Sequence, residues 1–314
     1  MVCRLVAALS GAACALLVIG DASSSATPQA PGIAAQYPGD RGIERHPAVL
    51  FHEDFESQNL RRWDEVNGTA ALTSLRPHAG SGCLAIPMQQ GQNTGGSLIN
   101  WFLPGKDTVF VRFYVRFSSN YRYAHHFVTL MASPPDDRWR PFGKAGLKPD
   151  GSYFSTGMEP WFAWGRNPSP GEVSFYSYYP DMEIDPKMNK YWGNQFFPPG
   201  PGKGQAAGPR RLIPPLDKWQ CWEFMVQANS SPDKANGRQA MWVDGKLVAE
   251  FPGIRWRTRT DTRINCLWLQ HYGYDDSDPT RAYWKDEQTA WFDDIVVATQ
   301  YIGPMAPGGQ NVPP

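Results

Sequence analysis

Apolar and polar positions alternate with a period of two along most of the chain, and no 3.6-residue apolar repeat is sustained after the N-terminus. The stretch DTVFVRFYVRFSS is the clearest case. Val109, Val111, Phe113, Val115 and Phe117 fall on one face, and Phe110, Arg112, Tyr114 and Arg116 on the other, because residues two apart on a strand point the same way. YAHHFVTLMAS predicts a second strand, with His125, Phe127 and Thr129 facing opposite to His126, Val128 and Leu130. KWQCWEFMVQAN sets Trp222, Phe224 and Val226 against Cys221, Glu223 and Met225. In RQAMWVDGKLVAEF, Asp244-Gly245 is a two-residue turn of the kind whose positive φ values match sheet twist, which predicts a hairpin. INCLWLQHYGYDD places Trp268, Gln270 and Tyr272 on one face, and TAWFDDIVVATQYIG closes the series. Short alternating strands separated by turns predict an all-β fold, a sandwich or jelly roll of two antiparallel sheets with long loops. The 30 Gly and 29 Pro supply those turns, and the 13% of aromatic residues suits strands better than helices.

The two ends read differently. Residues 1–26 have the pattern of a secretory signal peptide: Arg4, an apolar core from Leu5 to Ile19, and small residues from Ala22 to Ala26 for cleavage. The apolar run is short for a membrane span, so the expected product is secreted or periplasmic, with no stable membrane anchor after cleavage. Residues 27–47, small, polar and rich in Pro and Gly, read as a disordered linker. The domain is expected over 48–304, with a flexible tail at 305–314. Cleavage would remove Cys3 and Cys14 and leave Cys83, Cys221 and Cys266, enough for one internal disulfide or for buried thiols. A formal net charge of zero gives no argument for capturing nucleic acid or an anionic membrane, so a polyanion would need a local cationic cleft.

Candidate chemistry concentrates between Gly143 and Met182. Lys144 sits in a glycine-flanked loop, and Tyr176 and Tyr178 are spaced to share one face of a strand. Arg112, Tyr114 and Arg116 form either an ordinary solvated face or the wall of a groove for an acidic ligand. Trp139, Trp161, Trp164 and Trp192 lie in Gly/Pro-rich loops, where exposed indoles would stack on sugar rings. No Cys/His cluster has zinc-ligand spacing. Asp293-Asp294 and Glu53-Asp54 would meet if the first and last strands pair, as a structural calcium site or as turn caps.

The order GKAGL, FST, FYSYY, KWQCWEFMVQANSSPDKANGRQAMWVDGKLVAEFPGIRWRT and WFDDIVVATQYIG resembles the jelly-roll polysaccharide lyases of the alginate and glucuronan type, with concanavalin A-like architecture. The resemblance runs from about Val49 to Gly303. It implies catalytic roles for Lys144, Tyr176 and Tyr178, and substrate contacts from Ser155. It also implies β-elimination of an acidic, uronate-containing polysaccharide, with no cofactor required. One position departs from the pattern: Gly157 stands where an arginine would bind the substrate carboxylate, so Arg112, Arg116, Arg166 or His126 would have to substitute. Gln270 and His271 are adjacent in sequence, so only one can enter a groove, and Gln270 shares its face with Trp268 and Tyr272. The alternatives are a non-catalytic, lectin-like carbohydrate-binding domain and a glycoside hydrolase. Against the hydrolase, Glu183 and Asp185 are followed by Met188 where that pattern has a third acid, and Pro186 interrupts the strand.

Overall fold

The computed structural model describes residues 31–89, 94–122, 124–198, 212–273 and 286–308. Residues 1–26, read as a signal peptide, lie outside them, as do residues 309–314 of the expected tail. Among the described residues no helix is long and apolar enough to cross a membrane.

Two antiparallel sheets face each other. The first holds β13 (Lys246–Ile254), β12 (Gly237–Val243), β11 (Gln220–Gln227), β6 (Thr108–Phe117), β15 (Gln288–Ala298), β4 (Cys83–Met88) and β3 (Ala71–Thr73) in that order, with β1 (Val49–Glu53) also paired to β15. The second runs β10 (Asn194–Phe196), β9 (Glu172–Tyr178), β8 (Phe154–Trp161), β7 (Val128–Ser133), β14 (Arg263–Gly273), β5 (Thr94–Lys106) and β2 (Glu65–Gly68). This is the all-β, two-sheet sandwich that the alternation predicts. Asp244 and Gly245 take positive φ (49° and 74°) and join β12 to β13, as the hairpin signal requires.

The core is the apolar half of each alternation. From the first sheet come Val111, Phe113, Val115, Trp222 and Phe224, all with no exposed surface; Val128, Phe154, Met158, Val173 and Phe175 come from the second. Cys83, Cys221 and Cys266 are buried free thiols, and burial pushes both the Cys83 and the Cys221 thiol up to about 12.

The outer face of the first sheet is covered. Residues 31–47, whose composition reads as a disordered linker, form three short 3-10 turns, Ile33–Gln36, Pro38–Asp40 and Ile43–Arg45. Ile33, Ala34 and Ile43 pack with Val296, Ala298 and Ile302, and the amides of Ile33 and Ala34 donate to the carbonyls of Tyr301 and Ile302. The apolar residues here are few and aperiodic, but each meets the outer face of the closing strand. The start of the expected tail is tied down too, since Met305 N donates to the Tyr114 hydroxyl and Gly39 N to the Ala306 carbonyl.

Beneath this cover lies Arg112, with no exposed surface, paired to Asp40 and donating to the Asp294 and Gly303 carbonyls. Removing one partner of a buried pair leaves an uncompensated charge. Asp40→Asn should therefore lower the unfolding free energy by about 3 kcal/mol, read from urea titration. An unchanged midpoint would mean that this pair does not hold the N-terminal segment in place.

Candidate functional site

The outer face of the second sheet keeps partly exposed residues, and pairing registers define what is on it. One row of neighbours runs Ile99, Trp268, Thr129, Gly157, Tyr176 and Gln195 across β5, β14, β7, β8, β9 and β10. The next runs Trp101, Cys266, Met131, Ser155 and Tyr178. Tyr176, Tyr178 and Ser155 are thus brought together, as their spacing and the resemblance imply.

The phenol oxygens of Tyr176 and Tyr178 are 3.2 Å apart, and Gly193 N donates to the Tyr176 oxygen at 2.9 Å. A hydroxyl carries one proton. With the amide on its lone pair, Tyr176 can give that proton to Tyr178, which leaves the Tyr178 proton for a ligand. Burial raises Tyr176 well above the ordinary phenol range. Burial raises Tyr178 as well, opposed by hydrogen bonds from Tyr176 and from the Gly193 and Gly146 amides. Both phenols are neutral at physiological pH.

The Lys144 loop closes on the same place. Gly146 forms a bridge with Tyr191, and the chain two residues further on supplies the Gly193 amide to Tyr176. Lys144 is partly buried, two residues from the Gly146 amide that acts on Tyr178.

Glu159 completes the group and was not anticipated. It lies two residues beyond Gly157 on β8, is only 7% exposed, and accepts from Gln195 Nε2 at 3.4 Å. Gln195 in turn accepts from Ser174 Oγ at 2.7 Å. Burial holds the Glu159 carboxyl up to about 8, only weakly opposed by Gln195. The FSTGME spacing already puts residues 155, 157 and 159 on one face, so the signal was present, masked by the ordinary look of a glutamate before a proline.

His126 joins the site by a break in alternation. Phe127 and Val128 are both fully buried, so the strand begins only at Val128, and His126 falls on the same side as Thr129 instead of opposite it. Its ring lies 5.8 Å from Tyr176 and stacks against Tyr272 at 6.1 Å. Burial, and then His125, lower its pKa to about 3, so it is neutral. Gln270 is on the open face, buried opposite Ser97, while His271 points into the core between Tyr121 and the Ile86 carbonyl.

Arg112, Tyr114 and Arg116 do not belong here. They lie on β6, in the other sheet and on its covered outer face. Arg112 is paired to Asp40 and Arg116 to Asp217, and Tyr114 stacks on His78 with centroids 3.6 Å apart. Alternation specifies which residues share a face and leaves open which sheet the strand joins, so their expected place in the groove is corrected. Gly157 also has a local cause. A Cβ there would come within 2.6 Å of Thr129 Oγ1 and 2.8 Å of the Val128 carbonyl, so the arginine of the lyase pattern has no room at this backbone position.

Of the loop indoles, Trp164 (67% exposed) and Trp139 (44%) are open, while Trp161 packs on Phe197 and Trp192 Nε1 contacts Met188 Sδ. Glu183 and Asp185 lie off the sheet, where Asp185 caps a turn by accepting from Lys187 N and Met188 N. The first and last strands do pair, with Glu53 opposite Ile295, but Glu53 accepts from Phe55 N, Asp293 from His78 N, and Asp294 contacts His78 Nδ1. Among the described residues, no group of three His, Cys, Asp or Glu side chains could hold a metal ion.

No protein-family model matches the sequence, and no curated protein matches it. Solved structures do. An alginate lyase from Chlorella virus superposes with TM-score 0.57 and 16% identity, covering 80% of this chain and 99% of its own. The PL-14 alginate lyase of Aplysia kurodai gives 0.55 and 14%, over 80% and 97%. Alginate lyase Aly36B gives 0.50 and 14%, over 83% and 96%. The fold is that of the jelly-roll polysaccharide lyases. At these identities the likeness carries architecture, and the site stands on its own geometry.

Glu159 sets a pH test. Its folded pKa of about 8 lies above the unfolded value, so the folded form holds the proton more tightly. Stability from this group is complete at acid pH and is lost as pH rises through about 8. Glu159→Gln should unfold at the same temperature as the parent in acid and a few degrees higher near pH 8. Parallel melting curves across that range would show that the carboxyl is not held neutral.

Proposed function

We propose that the protein is an exported polysaccharide lyase that cleaves a uronate-containing polymer by β-elimination at the Lys144–Tyr178 site. The observation that carries this reading is the convergence of the Lys144 loop, through Gly146 and Gly193, on two hydrogen-bonded, neutral phenols on the open face. The lyase fold and the signal-like N-terminus support it.

In the proposed reaction the Lys144 amine removes the proton from C5 of the uronate. The electron pair forms the C4=C5 double bond as the C4–O bond breaks, and Tyr178 protonates the departing oxygen. Return of a proton from Lys144 to the Tyr178 phenolate through solvent resets the site. Tyr176 positions Tyr178 through their hydrogen bond. A tyrosine whose proton is not claimed by a neighbour is suited to the acid role.

The carboxylate needs a partner for the charge that builds on it, and prepositioned donors are the largest source of such stabilisation. With no arginine at 157, that part falls to neutral donors: protonated Glu159 beside the phenols, and the Gln195 amide that fixes it. A charged Glu159 would repel the same carboxylate.

The test is turnover of alginate, glucuronan and related uronate polymers, followed by ultraviolet absorbance of the new double bond. Lys144→Ala and Tyr178→Phe should each reduce the rate by roughly 10²–10⁴-fold with the melting temperature retained. Saccharide binding with no unsaturated product from any uronate polymer would replace this reading with the lectin-like one.

A further inference from the structure

The open face carries a second cluster that this chemistry does not use. In the loop after β7, the Arg138 guanidinium lies over two indoles, 5.3 Å from the Trp101 ring and 5.6 Å from the Trp139 ring. Those indoles meet edge to face at 5.3 Å, and Phe142 links Trp139 to Trp268 at 5.1 and 5.0 Å. Arg138 is half-buried, yet among the described residues no carboxylate lies within ion-pair distance of it. Its neighbour Arg140 takes Asp137, and Asp64 accepts the Trp101 amide. The cluster thus holds a cation with no ion-pair partner among the described residues, on an aromatic platform whose outer member is 44% exposed.

Its position relative to the phenols is fixed by register. Trp268 and Tyr176 lie in one row with Thr129 and Gly157 between them. Three strand spacings of ~4.8 Å separate them by roughly 14 Å, about the length of three pyranose rings. Arg138 and Trp139 lie beyond Trp268, on the β5 side. A chain crossing the strands from Tyr178 would reach them one strand spacing further on, after about four sugars.

We propose that Arg138 and Trp139 form a distal subsite for an acidic sugar of the same polymer, the indole stacking on the ring and the guanidinium pairing with its carboxylate. This rests on the reading of the Tyr178 end as acting on a uronate chain. A sugar ring offers C–H faces to an aromatic platform, and guanidinium is weakly hydrated and matched in geometry to a carboxylate. The arginine missing from β8 therefore has a counterpart, placed to hold the chain and not to act at the cleaved bond.

The experiment is calorimetric titration of the Tyr178→Phe protein, which keeps oligosaccharides intact, with a uronate trisaccharide and hexasaccharide. The hexasaccharide should bind about tenfold tighter, and adding Arg138→Ala or Trp139→Ala should each bring the ratio to roughly twofold or less. Arg238→Ala, on the other sheet, should leave the ratio intact. A ratio that persists in either variant overturns the subsite. A ratio lost in both, in a protein whose parent forms no unsaturated product, upholds the subsite and overturns the lyase reading.

Discussion

The site depends on a packing constraint: the two sheets must bury one half of each strand's alternation against each other. Val128, Phe154, Met158, Val173 and Phe175 face inward to meet Phe113, Trp222 and Phe224. Because the pleat has a period of two, this obliges Thr129, Ser155, Gly157, Glu159, Tyr176 and Tyr178 to face the other way. A one-residue slip in β9 would put the phenols in the core and Phe175 in the groove. The hydrophobic interface therefore sets the register of the chemistry, and the site needs no separate scaffold.

The same constraint explains why the two outer faces differ. On the first sheet the outward half of β6 is Arg112, Tyr114 and Arg116, and the fold spends its N-terminal turns, its C-terminal residues and Asp40 on covering them. On the second sheet the outward half is met by the loop after β7 and by the chain before β10, which leave a partly exposed surface of neutral, partly desolvated groups. Glu159, His126, Tyr176 and Tyr178 are all uncharged near neutral pH, for the shared reason that burial disfavours their ionised forms. Such a surface would not repel a carboxylate, and the basic side chains Lys144 and Arg138 lie at its margins.

Much of the fold was legible in the sequence because alternation is a local property. The β6 faces, the Asp244-Gly245 hairpin, the split of Gln270 from His271 and the sharing of a face by Tyr176 and Tyr178 could all be read from spacing alone. Strand pairing is non-local, and there the reading failed. Nothing within β6 says that its cationic face looks away from the sheet that carries the tyrosines. The order in residues 31–47 was hidden for a related reason, since Ile33 and Ile43 gain meaning only against Val296 and Ile302, more than two hundred residues away. Glu159 and Arg138 were missed because each looks like a solvated charge until the burial around the one and the indoles beneath the other are seen.

The central claim is that the open face of the second sheet, at the meeting of the Lys144 loop with Tyr176 and Tyr178, is where a uronate chain binds. Amide hydrogen exchange of the Tyr178→Phe protein with and without a uronate hexasaccharide tests it most directly. The account predicts added protection in segments 143–147, 155–161 and 189–195, and none in 38–46 or 110–117. Protection confined to the β6 face and the N-terminal turns, with the Lys144 and Gly193 loops unchanged, would contradict it.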